Sequence, residues 1–187
     1  MMTSYFHLCS DGALTPNFLE NENDYRAAFN LVGLCAAHCE GTVLSFSLED
    51  THLHLLMYGT RQSCLQFKAM FENIWAHRVG RVRGSRQGAS IELEIIPVES
   101  EDYLMNVGTY TIVQPTKDGK QVMPFDYLWG SGPMYFRGRE CILPWLVNKD
   151  GTLAELVTFA SLSVDEQRTV CHSRKYSFPA NWLVANG

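Results

Sequence analysis

The chain is 187 residues long, enough for one domain with an extension. Its 46% hydrophobic and 19% charged residues exclude a disordered or low-complexity chain, and no apolar run reaches the roughly 18 residues of a membrane span. A net charge of −5 excludes a surface that is basic all over, and six cysteines without a basic, apolar leader lead us to expect reduced thiols in a cytoplasmic protein.

Residues 5–9 read as a short strand ended by Asp11-Gly12. Asn23 or Asp24 is placed to cap a helix running to about Cys39, with Gly41 as its stop. Within it, Cys35, His38 and Cys39 read as buried helix residues rather than a zinc site, because no second ligand pair accompanies them. Residues 42–48 alternate as a strand. A second strand, 52–58, follows the turn residues Glu49-Asp50-Thr51 and ends at Gly59. The apolar stripe Leu65, Phe67, Met70, Phe71, Ile74 and Trp75 predicts a helix over 63–79, followed by a loop at 81–88. Residues 90–98 read as a strand. Ser100 is placed to cap a helix over 101–113, with Pro115 as its stop. Beyond residue 125 the texture changes, with short helices expected at 153–160 and 164–171.

This β-α-β-β-α-β order followed by a helix predicts an α+β chain of ferredoxin-like (RRM-like) type. Its antiparallel sheet carries helices on one face, with a small C-terminal helical extension. We divide the chain into a domain at 1–125 and an extension at 126–187 packed on it.

Charge is unevenly spread. Between Arg61 and Arg86 six basic residues face only Glu72, a local charge of +5. Lys68, Arg78, Arg81, Arg83 and Arg86 read either as a solvated helix and loop or as a phosphate-binding stripe.

Two local patterns carry chemistry. In Thr51-His52-Leu53-His54-Leu55-Leu56, strand periodicity puts His52 and His54 on one face, about 6–7 Å apart along the backbone, while Leu53 and Leu55 enter the core. Two neutral imidazoles so arranged can hold a divalent cation, or can simply hydrogen-bond on a sheet face. In Tyr110-Thr111-Ile112-Val113-Gln114-Pro115, helical spacing stacks Tyr110 and Gln114 one turn apart. Asp50 shares the histidines' face if the strand starts early, and would then orient an imidazole from behind or join the metal directly; otherwise it is a turn residue.

Taken together, these segments resemble the HUH single-tyrosine transposases, in particular the REP-associated tyrosine transposases and the small insertion-sequence enzymes. The family commonly shows an N-H-V-H-L-L strand, a helix reading D-x-Y-L-x-x-x-x-R-Y-I-H-x-N-P, and then D-Y-x-W-S-S. The counterparts here are the segment from Thr51 to Leu56, Asp102-Tyr103-Leu104 leading to Tyr110 and Pro115, and Asp126-Tyr127-Leu128-Trp129-Gly130-Ser131. The likeness covers about residues 4–135. Thr51 stands where the family has asparagine, and Thr109 where it has arginine.

The resemblance implies that His52, His54 and Gln114 bind Mg²⁺ or Mn²⁺ and that Tyr110 is the nucleophile. It also implies cleavage and joining of single-stranded DNA, usually hairpin-bearing, through a 5′-phosphotyrosine. Similar enzymes act as monomers or as homodimers that exchange the tyrosine helix. The alternative reading is a non-catalytic or domesticated nucleic-acid-binding module of the same fold.

Overall fold

The computed structural model describes residues 2–85, 90–120 and 122–137, and the expected helices at 153–160 and 164–171 lie outside them. Four strands, β1 (Ser4–Ser10), β2 (Gly41–Leu48), β3 (Leu53–Gly59) and β4 (Leu93–Val98), form one sheet in the order β2-β3-β1-β4. Every neighbouring pair is antiparallel. This is the α+β ferredoxin-like arrangement that the element order predicts.

Alternation along the strands explains the two faces. Phe6 and Leu8 of β1 and Leu53, Leu55 and Met57 of β3 point to one side. There they meet α1 (Glu22–His38) and α2 (Arg61–Arg83), whose fully buried Phe29, Phe67, Phe71 and Trp75 fill the main core. The intervening residues of β1 and β3 face the other side. That side is covered by α3 (Glu101–Lys117), so the helices lie on both faces of the sheet rather than on one as expected. Val107, Tyr103 and Leu104 of α3 pack there against Leu56, Val98, Tyr5 and Leu44.

Several boundaries differ from the sequence expectation. Asn21, not Asn23 or Asp24, caps α1, its side chain accepting from the Asp24 N–H at 3.2 Å. Asp24 is instead buried, where it accepts from Arg78 at 3.2 Å and also from Arg83. Helix α2 is capped by Thr60 and runs through Arg81 to Arg83, into the stretch expected to be loop, before Gly84 ends it in the left-handed region.

Helix α3 begins as expected, with the Ser100 hydroxyl accepting from the Tyr103 N–H at 3.1 Å. Pro115 does not stop it. A proline so close to the end removes one helical hydrogen bond without breaking a long run of them. The stop comes at Gly119, with φ of 79°: Lys120 N–H donates to the Pro115 carbonyl at 3.0 Å and Gly119 N–H to the Thr116 carbonyl at 3.2 Å. This pair of bonds is a Schellman closure. The additional turn carries Lys117 and Asp118 up to the sheet.

After α3 the chain crosses the β2 edge. Leu48 N–H donates to the Trp129 carbonyl at 3.0 Å and Ser131 N–H to the Phe46 carbonyl at 2.9 Å. The short helix α4 (Gly132–Arg137) follows. No helix among the described residues is long and apolar enough to cross a membrane.

Candidate active site and metal-ligating cluster

The β2–β3 hairpin and α3 build the site. The turn after β2 is closed by Glu49 N–H donating to the His52 carbonyl at 2.8 Å. His52 therefore lies one residue before β3 begins rather than within it. Its ring still joins that of His54, with centroids 4.9 Å apart and planes nearly perpendicular.

Helix α3 brings its residues down from above. The Tyr110 ring packs edge-on against His54 at 5.0 Å between centroids. One turn on, Gln114 Nε2 stands 3.2 Å from His52 Nε2. Thus His52, His54, Tyr110 and Gln114 meet on one sheet face within one chain.

Two further residues, at the end of α3 and at its cap, belong here that sequence reasoning missed. Asp118 accepts from Gln114 Nε2 at 2.9 Å and stands 3.5 Å from His52 Nε2. Lys117 Nζ lies 4.3 Å from the centre of the Tyr110 ring. Both sit beyond Pro115, so ending the helix there hid them. Their i+4 relationship to Gln114 and i+7 relationship to Tyr110 is the signal that would have found them.

Asp50 lies in the turn before β3, where it accepts from Lys120 Nζ at 2.7 Å and from the Tyr25 hydroxyl, the turn reading of this residue. The carboxylate that stands against His52 is Asp118. Behind the hairpin, Glu49 is fully buried, its carboxylate accepting from the Ser47 hydroxyl at 2.6 Å and standing 3.8 Å from Lys120.

The expected basic stripe needs a correction. Lys68 donates to Glu72 at 2.8 Å and to the Leu93 carbonyl at 2.6 Å, tying α2 to β4. Arg78 is buried against Asp24, and Arg83 pairs with Asp24 and Glu20. Arg81 is exposed, and Arg86 lies outside the described residues. All four described cations sit on α2, across the sheet from Tyr110. The cation beside the tyrosine is Lys117.

Burial dominates the electrostatics. It depresses the His52 imidazolium, with Asp118 and Asp50 opposing, and lowers His7 as well. His54 falls to about 3, through burial first and then the neighbouring His52 and His7. All three rings are therefore neutral near pH 7, the protonation state in which an imidazole nitrogen can bind a cation. Burial and then Asp118 raise the Tyr110 phenol, while the Gln114 side chain hydrogen-bonding to it acts in the opposite sense.

Does this donor set suit a metal? Gln114 Oε1 is buried without a hydrogen-bond partner, while Nε2 is the atom that faces His52. His52, His54 and Gln114 fit a divalent cation once the amide turns its oxygen toward the imidazoles. A second donor set shares His54. His7 Nε2 is 3.1 Å from His54 Nδ1, and ligand atoms of His7, Cys9 and His54 all lie within 4.8 Å of one another. The spacing of the cysteines in sequence had shown no such site. The β1/β3 ladder creates it by setting Cys9 directly opposite His54.

A cleft of about 420 Å³ opens beside Tyr110, lined in part by His7, Tyr103, Asn106 and Lys117. The described cysteines, Cys9, Cys35, Cys39 and Cys64, are all free thiols.

No protein-family model and no curated protein matches the chain. It is similar to a solved structure of a REP-associated tyrosine transposase bound to a REP hairpin, with 11% identity and a TM-score of 0.48. The likeness covers 80% of this chain and 88% of that one.

Proposed function

We propose that the chain is a metal-dependent single-stranded DNA endonuclease and strand transferase, carrying out transposase chemistry with Tyr110 as the nucleophile. The observation that supports this reading is the meeting of Tyr110 and Gln114 from α3 with His52 and His54 from the β2–β3 hairpin.

The phenol oxygen attacks a backbone phosphorus and keeps the 5′-phosphate as a phosphotyrosine. The 3′ oxygen leaves and takes up a proton, while the phenol proton passes to solvent. The bond energy stays in the covalent link, so rejoining requires no nucleotide cofactor. A buried phenol is a weak nucleophile, and the chain's own residues compensate in part. The Gln114 side chain favours the phenolate, and Lys117 adds positive charge beside the ring. Asp118 holds Gln114 and flanks His52, fixing the orientation of both. Mg²⁺ or Mn²⁺ on His52, His54 and Gln114 would withdraw charge from the phosphate.

The cleft between Tyr103 and Lys117 suits a nucleotide of an unpaired strand, and hairpin-marked DNA in a cytoplasmic setting is the substrate we expect. Because the four groups come from one chain, a single copy is sufficient, and a homodimer is not required.

Incubation of the protein with labelled hairpin-bearing oligonucleotides and Mn²⁺ tests the reading. We expect a covalent adduct that survives denaturation, disappears with EDTA and is absent in Tyr110→Phe. An adduct that persists in Tyr110→Phe overturns the assignment of the nucleophile.

A further inference from the structure

His54 faces two donor sets of different chemistry. The strand-transfer reading uses the set with His52 and Gln114, whose donors are imidazole nitrogens and an amide oxygen. The other set comes from β1. His7 and Cys9 are two residues apart, so strand periodicity puts both on the α3 side while Phe6 and Leu8 enter the main core. The ladder then sets Cys9 opposite His54, and the His7 and His54 rings stack with centroids 5.3 Å apart.

We infer that His7, Cys9 and His54 form a soft-cation site that takes Zn²⁺ through two imidazoles and one thiolate.

The distances suit this ion. Tetrahedral zinc, at about 2.0–2.1 Å from nitrogen and about 2.3 Å from sulfur, separates its ligand atoms by roughly 3.3–3.6 Å. His7 Nε2 and His54 Nδ1 are already 3.1 Å apart, and the whole set lies within 4.8 Å, so closure requires only small side-chain shifts. Without an ion the two nitrogens share one proton. The other nitrogen of His7, Nδ1, is buried with no partner, so the protein alone does not satisfy this ring. Glu94 lies directly across from Cys9 in the β1/β4 ladder and adds negative charge beside the thiol. Of the three ligands His7 lines the cleft beside Tyr110, which gives access from solvent, and water would complete the coordination. Binding replaces the Cys9 thiol proton, which goes to solvent.

Softness separates the two sets. A thiolate favours Zn²⁺ over Mg²⁺ or Mn²⁺, whereas an amide oxygen with two imidazoles does not discriminate so strongly. The inference goes beyond the strand-transfer reading and shares only His54 with it. The two sites compete for that ring, so Zn²⁺ in this site opposes Mn²⁺-dependent adduct formation.

The test uses the full chain with a phosphine reductant, titrated with Co²⁺ as a spectroscopic substitute and then with Zn²⁺ in competition. We expect one equivalent of Co²⁺ to give a near-ultraviolet thiolate-to-cobalt absorption that Zn²⁺ displaces. The band should vanish in Cys9→Ser and in His7→Ala, with Zn²⁺ affinity falling more than about tenfold, and persist in Gln114→Ala. Circular dichroism of each variant establishes that it is folded, and Cys9→Ala provides a second substitution at the thiol. A band retained in folded Cys9→Ser, or no band in the parent chain, overturns the site. The two readings fail separately. Loss of the band in Cys9→Ser with Mn²⁺-dependent adduct retained leaves both standing. A well-behaved band without any adduct removes only the strand-transfer reading.

Discussion

Gln114 and His52 are 62 residues apart in the chain, yet their side-chain nitrogens stand 3.2 Å apart. One belongs to the last turns of α3 and the other to the hairpin turn before β3. Asp118, which accepts from Gln114 and flanks His52, joins the two elements at this point.

Removing that carboxylate should therefore loosen the site without removing a ligand. In Asp118→Ala we expect Mn²⁺ affinity, measured by calorimetry, to fall about 10–100-fold. Adduct formation should recover at high Mn²⁺, because positioning rather than ligation is lost. Unchanged affinity would show that Asp118 plays no part in orienting the ligands.

The α2 cations divide by burial. Arg78 is buried against Asp24, so Arg78→Ala leaves a carboxylate in the interior and should cost about 3–5 kcal/mol by denaturant unfolding. Arg83, on the same carboxylate, offsets part of that loss. Exposed Arg81→Ala should stay within about 0.5 kcal/mol. Equal effects would contradict the placement of Arg78 as a structural cation.

Two titrations oppose each other in the pH dependence of stability. His7, His52 and His54 have folded pKa values below their ordinary 6.5, His54 at about 3, so the unfolded chain binds more protons in acid. Their contribution should rise with pH from about 3 to 6.5. Glu49 is raised by burial from 4.5 to about 7, so the folded chain holds its proton longer, and stability should decline as pH rises through that window. Glu49→Gln should flatten the decline, gaining up to about 2–3 kcal/mol at pH 8 relative to pH 4. Parallel stability curves for parent and variant across this range would disprove the assignment.

Gly119 ends α3 with φ of 79°, where a side chain is strained. Gly119→Ala should cost about 1–2 kcal/mol. Since the closure sets the path at Asp118, the same variant should also weaken Mn²⁺ binding, whereas exposed Gly84→Ala, on α2, should cost stability alone. Thermal unfolding and metal titration together separate the two effects.

Much of this was legible in the sequence because strand and helix periodicity are local. The alternation at 52–58 put Leu53 and Leu55 in the core and His54 on the opposite face, and Ser100 announced the start of α3. Five or six residues suffice to write such patterns, and the surrounding fold reinforces them. The boundary at Pro115 misled because a proline near a helix end costs little, and the Schellman closure at Gly119 takes over the stop.

From sequence alone, then, came the α+β element order, the paired histidines and the tyrosine–glutamine helix face. Tertiary structure decided the rest. Strand register brought His7 and Cys9 to His54, one extra helical turn brought Asp118 to His52, and burial turned Arg78 inward to Asp24. Such contacts join residues tens of positions apart, and periodicity carries no information at that range. Pairing register and the desolvation of charge, which reward only specific partners, are properties of the folded chain.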